Sequence, residues 1–238
     1  MLPLYDESYE RGKAPYVTLG LILVNIVVFS FVLFSRNLQG VINIYGVVPK
    51  DILEGKNIFN LFTAIFLHID AFHLIGNMWF LWIFGDNLEN NLGRGRFLAF
   101  YLLAGLFAGI FHVFGASTGQ EAIPAIGASG AISGLMGGYL ILYPKNRIRA
   151  FLLIIIWPFF FWVQAYIYMI IWFIYQMSYG ATPTSVGYLA HIGGFIFGIL
   201  LVLALRRKTQ RGDYTSGKMS TVDYSTGETD YPSVSQPS

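Results

Sequence analysis

Cysteine is absent from the 238 residues. The chain therefore holds no disulfide, no thiolate nucleophile and no thiolate-bound metal, and its redox compartment is not legible. Charge is scarce as well: Asp, Glu, Lys and Arg make up 12% of the chain, against about a quarter in soluble domains. A net charge of +2 gives no footing for a nucleic-acid partner. No His-Glu-x-x-His string occurs, which removes the zinc-protease pattern built on it. Carboxylates paired across two helices at one depth are missing too: Asp86 and Glu89 share the inner end of a single segment. That argues against an aspartyl protease and, with no internal repeat, against a small transporter.

What remains is apolar. Hydrophobic residues form 55% and aromatics 17% of the chain, with a mean hydropathy of +0.57, as in a polytopic membrane protein. A spanning helix needs roughly 20 apolar residues. Six segments qualify: Ala14–Phe34, Ile69–Asn87, Phe97–Gly115, Ala122–Tyr143, Ala150–Tyr175 and Ser185–Leu205. The first is long for a signal-peptide core and lacks a clear cleavage site, so it reads as a retained span. The fifth is the greasiest and is expected to kink at Pro158. With the N-terminus inside, twelve Lys and Arg fall on the inner side and three (Arg36, Lys50 and Lys56) on the outer. Positive charge stays inside, so both termini are expected to be cytoplasmic, in the cell membrane. The outer stretch from Arg36 to His68 is too greasy for a solvated loop and too interrupted to span, which suits partial embedding in the interface. The run from Gly212 to Ser238, rich in Ser, Thr, Gly and Tyr, has the composition of a disordered tail.

Polar side chains inside spans are costly and default to functional candidates. The relevant ones here are His73 and Asn77 in the second segment, Ser129 in the fourth and His191 in the sixth. His73, Ser129 and His191 each stand 14 residues before the inner end of their segment, roughly 21 Å at 1.5 Å per residue. All three segments run from outside to inside, so these groups share one level in the outer half of the bilayer. A serine needs a base to become a nucleophile, and His191 is the one histidine in the last three segments. Glycines beside both residues, including Gly194 and Gly198, allow close helix approach. The expectation is a Ser129/His191 dyad without a third, acidic group. His73 and Asn77, four apart on one helix face, and the Ser129 backbone N–H would serve as oxyanion donors. His112 reads as an interfacial histidine at the outer end of the third segment.

Three strings in this order resemble the rhomboid family of intramembrane serine proteases: "HIDAFHLIGNMWFLWIFGDNLE" (His68 to Glu89), "GASG" (Gly127 to Gly130) and "AHIGGFIFG" (Ala190 to Gly198). The resemblance covers roughly Ala14 to Leu205. It implies an all-α polytopic fold of six transmembrane helices, both termini inside, with a membrane-embedded first outer loop. The implied organisation is a cytoplasmic segment 1–13, a membrane domain 14–206 and a cytoplasmic tail 207–238. The implied activity is endoproteolysis of membrane-anchored proteins within or near a transmembrane helix, with the lipid bilayer as the medium. Ser129 would be nucleophile, His191 base, and His73 and Asn77 oxyanion donors. Gly127, Gly130, Gly194, Gly198 and the more structural His68 would support them. No metal or other cofactor is implied, and oligomeric state is not legible. The alternative is an inactive member that holds membrane clients without cutting. Two departures stand out. Members often carry Trp-Arg where this chain has Phe59 and Asn60, and Tyr where it has Ser133, which is then expected to hydrogen-bond locally.

Overall fold

The computed structural model describes residues 1–7, 14–116, 121–154, 157–179 and 187–205. Three of its helices are long and apolar enough to cross a membrane: α1 (Tyr16–Phe34), α6 (Arg94–Gly115) and α9 (Tyr188–Leu205). A fourth crossing arises if α4 (Asn60–Thr63) with its 3-10 turn (Ala64–Phe66) is joined to α5 (Ala71–Leu92) across a 93° bend. Two shorter apolar helices, α7 (Ser129–Leu142) and α8 (Ala165–Tyr179), complete the bundle. Small helices α2 (Leu38–Tyr45) and α3 (Pro49–Leu53) fill the segment after α1. The tail expected to be disordered lies outside the described residues.

The molecule is mostly helical, but a three-stranded antiparallel sheet corrects the all-α expectation. It consists of β1 (Leu2–Asp6), β2 (Arg147–Ile154) and β3 (Trp157–Gln164), in that order. The expected fifth span, Ala150–Tyr175, is therefore strand in its first half and helix only from Ala165. Pro158 explains the difference. In a helix it would remove a hydrogen bond and clash with the preceding turn; as the second residue of edge strand β3, opposite Leu153, it is tolerated. The surrounding Ile, Phe and Trp also favour a pleated surface.

β1 ties this sheet to the bundle. Asp6 accepts hydrogen bonds from Asn87 Nδ2 of α5 (3.2 Å) and from the Tyr139 hydroxyl of α7. Glu7, next to β1, accepts from the Arg147 guanidinium, which holds its carboxyl below the usual carboxylate range. The buried Glu89 of α5 anchors α1 in turn. Its carboxylate accepts from Val17 N (3.0 Å), Thr18 N (2.8 Å) and Thr18 Oγ1 (2.9 Å). That satisfies two of the free N–H groups of the first turn of α1 with a carboxylate, the group favoured at a helix N-terminus.

Between α1 and α5, Asn60, one of the two residues standing where family members often carry Trp-Arg, ties the segment to itself. Its side-chain amide is buried and donates to Ile44 O (2.8 Å) and Gly46 O (2.9 Å), while Phe59 is exposed. Val47 and Ala125 exchange backbone hydrogen bonds, and Gly127 N donates to Ala64 O at 2.8 Å. The segment after α1 is thereby fastened to the residues leading into α7.

Helix α7 makes its most extensive contact with α9, and α6 packs against both. The reason is the glycines. A Cβ on Gly194 would run into the Gly130 carbonyl, one on Gly198 into the Gly134 carbonyl and one on Gly137 into the Phe195 carbonyl. On the α6 side, a Cβ on Gly130 would meet Ala108 Cβ at 2.6 Å. Backbone thus lies directly on backbone along this seam, as small residues permit in membrane helices.

Candidate active site

The site forms where α5, α7, α8 and α9 converge. Asp70 caps α5, its carboxylate accepting from His73 N at 2.8 Å, and so fixes the first turn that carries His73. Asn77 follows one turn on. Ser129 is the first residue of α7, so its N–H is one of the N-terminal donors that the helix itself leaves free. His191 lies in the first turn of α9, where its N–H donates to Gly187 O at 3.1 Å.

The close backbone seam brings Ser129 and His191 together. His191 Nε2 and Ser129 Oγ are 2.7 Å apart, a full hydrogen bond between residues 62 apart in sequence. Both side chains are half-buried. A cavity of about 230 Å³ opens beside them, lined by Phe72, His73, Asn77, Met136, Trp172 and Gln176 among others. Asn77 is buried, and its Nδ2 has no hydrogen-bond partner among the described residues; neither has His73 Nδ1. Unpaired donors on the wall of such a cavity cost free energy unless something accepts from them.

Gly127 explains the first glycine of the Gly-x-Ser-Gly string. Its φ is +119°, and a Cβ there would sit 2.9 Å from His73 Cε1 and Nε2. Any other residue would be strained in its backbone and pressed into the His73 ring. His68 packs edge-on against that ring, with centroids 5.0 Å apart. Ser133 bonds locally as expected, Oγ to Ser129 O at 2.7 Å. His112, in the last turn of α6, is buried, and it lines a separate cavity of about 50 Å³ that also reaches Ser129.

One neighbour of the imidazole escaped the sequence reading. Gln176 Oε1 of α8 lies 2.8 Å from His191 Nδ1. The expected fifth span ended at Tyr175, one residue short of Gln176, and Gln176 was not among the polar groups singled out. The ring of Trp172, one turn earlier on α8, lies 6.2 Å from that of His191.

Comparison with known sequences identifies the family. The family model for the rhomboid domain matches residues 55–208, more than half of the chain. The chain belongs to the rhomboid family. Among curated relatives of this rhomboid, "Rhomboid protease GluP" of Bacillus subtilis is 31% identical over 199 residues, 83% of this chain and 36% of that protein. "Rhomboid protein 1, mitochondrial" of Saccharomyces cerevisiae is 28% identical over 185 residues, 73% of this chain and 50% of that protein. "Presenilin-associated rhomboid-like protein, mitochondrial" of Homo sapiens is 31% identical over 143 residues, 60% of this chain and 36% of that protein. The rhomboid described here thus spans half or less of the length of these relatives. It is an integral, multi-pass membrane protein of mostly helical fold. Mitochondrial relatives stand beside a bacterial one, so the comparisons do not favour the cell membrane over another.

Proposed function

We propose that this rhomboid is an intramembrane serine endopeptidase that cuts transmembrane segments of membrane-anchored proteins. The observation that carries the reading is the 2.7 Å hydrogen bond between His191 Nε2 and Ser129 Oγ. In this mechanism Nε2 takes the hydroxyl proton as Oγ attacks the scissile carbonyl carbon. The carbonyl oxygen becomes an oxyanion and accepts from the Ser129 N–H, Asn77 Nδ2 and His73. The unpaired Asn77 and His73 donors on the cavity wall are what such an oxygen requires. The imidazolium then protonates the leaving amine, and water, activated by the same nitrogen, releases the acyl group from Oγ.

Depth supports the intramembrane part of the reading. At 1.5 Å per residue, the 14 residues of α7 rise roughly 21 Å, short of a hydrocarbon core of about 30 Å. A nucleophile on its first residue therefore lies recessed below the outer surface. By the distribution of Lys and Arg, both termini lie on the inner side, with the chain crossing six times and α7 and α8 as the shorter crossings. A substrate helix has its carbonyls internally satisfied, so it must unwind locally before Ser129 reaches one. Segments weakened by Gly near the outer face are the expected substrates.

The test is cleavage of a purified single-span substrate in liposomes. Ser129→Ala and His191→Ala are each expected to abolish it. Full cleavage by either variant overturns the assignment, and binding of substrate without cleavage by the wild type favours the client-holding alternative.

A further inference from the structure

We propose that Gln176 is a positioning residue for His191: its side-chain carbonyl holds the imidazole in the one tautomer and orientation that leave Nε2 free to take the proton of Ser129. The inference rests on the serine-protease reading for its consequence, though not for its geometry.

A neutral imidazole carries one proton, on Nδ1 or on Nε2. Only the Nδ1–H form presents a lone pair at Nε2 to the Ser129 hydroxyl, 2.7 Å away. In the other tautomer, Nε2–H donates to Ser129 Oγ, and the base is lost. Gln176 Oε1, a pure acceptor 2.8 Å from Nδ1, selects the productive form. It also opposes a ring flip, which would carry Nδ1 away from Oε1 and Nε2 away from Oγ together. The two contacts fix both ends of one ring, from α8 on one side and α7 on the other.

Sequence position makes the contact specific. Trp172 and Gln176 are four apart on α8 and so share a helix face. Both meet His191, the tryptophan by its ring and the glutamine by its amide. Gln176 is neutral, so it orients the ring without placing a charge at this depth, where a lone carboxylate would be costly. The pair becomes a Ser129, His191, Gln176 chain, its third member supplied by α8. Because α8 also lines the 230 Å³ cavity, any displacement of α8 that parts Oε1 from Nδ1 would disarm the base.

The test combines kinetics with nitrogen-15 NMR of histidine-labelled full-length protein in lipid, at about pH 8, well above the ordinary histidine pKa of about 6.5. The chain has four histidines, and a His191→Ala sample identifies the signal of interest. The expected wild-type spectrum has the proton on Nδ1 of His191. Gln176→Met, similar in length but without a strong acceptor, is expected to lose that preference and to lower kcat about 10- to 100-fold with KM within about 2-fold, part of the range that general-base catalysis contributes. Gln176→Glu keeps an acceptor and is expected to keep the proton on Nδ1, whatever its buried charge does to kcat. A wild-type proton on Nε2, an unchanged tautomer in Gln176→Met, or loss of the Nδ1 proton in Gln176→Glu overturns the proposal. The wild-type spectrum decides even where a variant does not fold. If the tautomer behaves as expected while no form cleaves substrate, the protease reading fails and the positioning role of Gln176 stands.

Discussion

At the scale of single residues, the proposed chemistry rests on a few polar atoms in an apolar setting. Ser129 and His191 are joined, and Asn77, which lines the adjoining cavity, has an Nδ2 without a partner among the described residues. An oxyanion donor acts in the transition state more than in the ground state, so its loss falls on kcat. Asn77→Ala is accordingly expected to lower kcat about 100-fold or more, the usual cost of one such donor, with KM nearly unchanged. Steady-state kinetics in liposomes check this; a change confined to KM would make Asn77 a binding residue instead. These residues were legible in the sequence because a polar side chain in a span is rare and costly. Gln176 was not, because its distance from His191 depends on where α8 begins, and Pro158 moved that start. Asn60 was also missed: only the fold shows that its amide meets the carbonyls of Ile44 and Gly46.

At the scale of elements, the site depends on α7 and α9 lying backbone to backbone. Gly134 and Gly137 face Gly198 and the Phe195 carbonyl, with no room for a side chain. Gly198→Val is expected to force the helices apart. Overpacking typically costs about 1–3 kcal/mol, and more is expected where backbone is the obstacle, so the melting temperature in detergent falls by several degrees. Labelling of Ser129 should be lost even below the new melting temperature, because the 2.7 Å contact leaves little tolerance. Unaltered melting and labelling would mean that the seam is slack. The Gly194 and Gly198 spacing announced this contact in advance. The β-hairpin went unannounced, because a long apolar run satisfies the composition of a spanning helix and of paired strands alike. The short α7 was masked in the same way: the apolar run from Ala122 is continuous, yet the helix begins only at Ser129.

At the scale of the whole molecule, the sequence carried the family and the ordered motifs. It gave less on crossing number, since three or four helices meet the length requirement and α7 and α8 are shorter. The proposed topology follows from charge, and the absence of native cysteine makes it simple to test. A single cysteine at Asn57 is expected to react with an impermeant maleimide from outside, and one at Lys145 only after the membrane is opened. The reverse pattern would invert the topology. The account's central claim is that His191 activates Ser129 as a nucleophile within the bilayer. It is tested most directly by treating the protein in lipid with a fluorophosphonate and locating the adduct by mass spectrometry. The expected result is one adduct on Ser129 in the wild type and none in His191→Ala. An adduct on another serine, or equal labelling of Ser129 without His191, would contradict it.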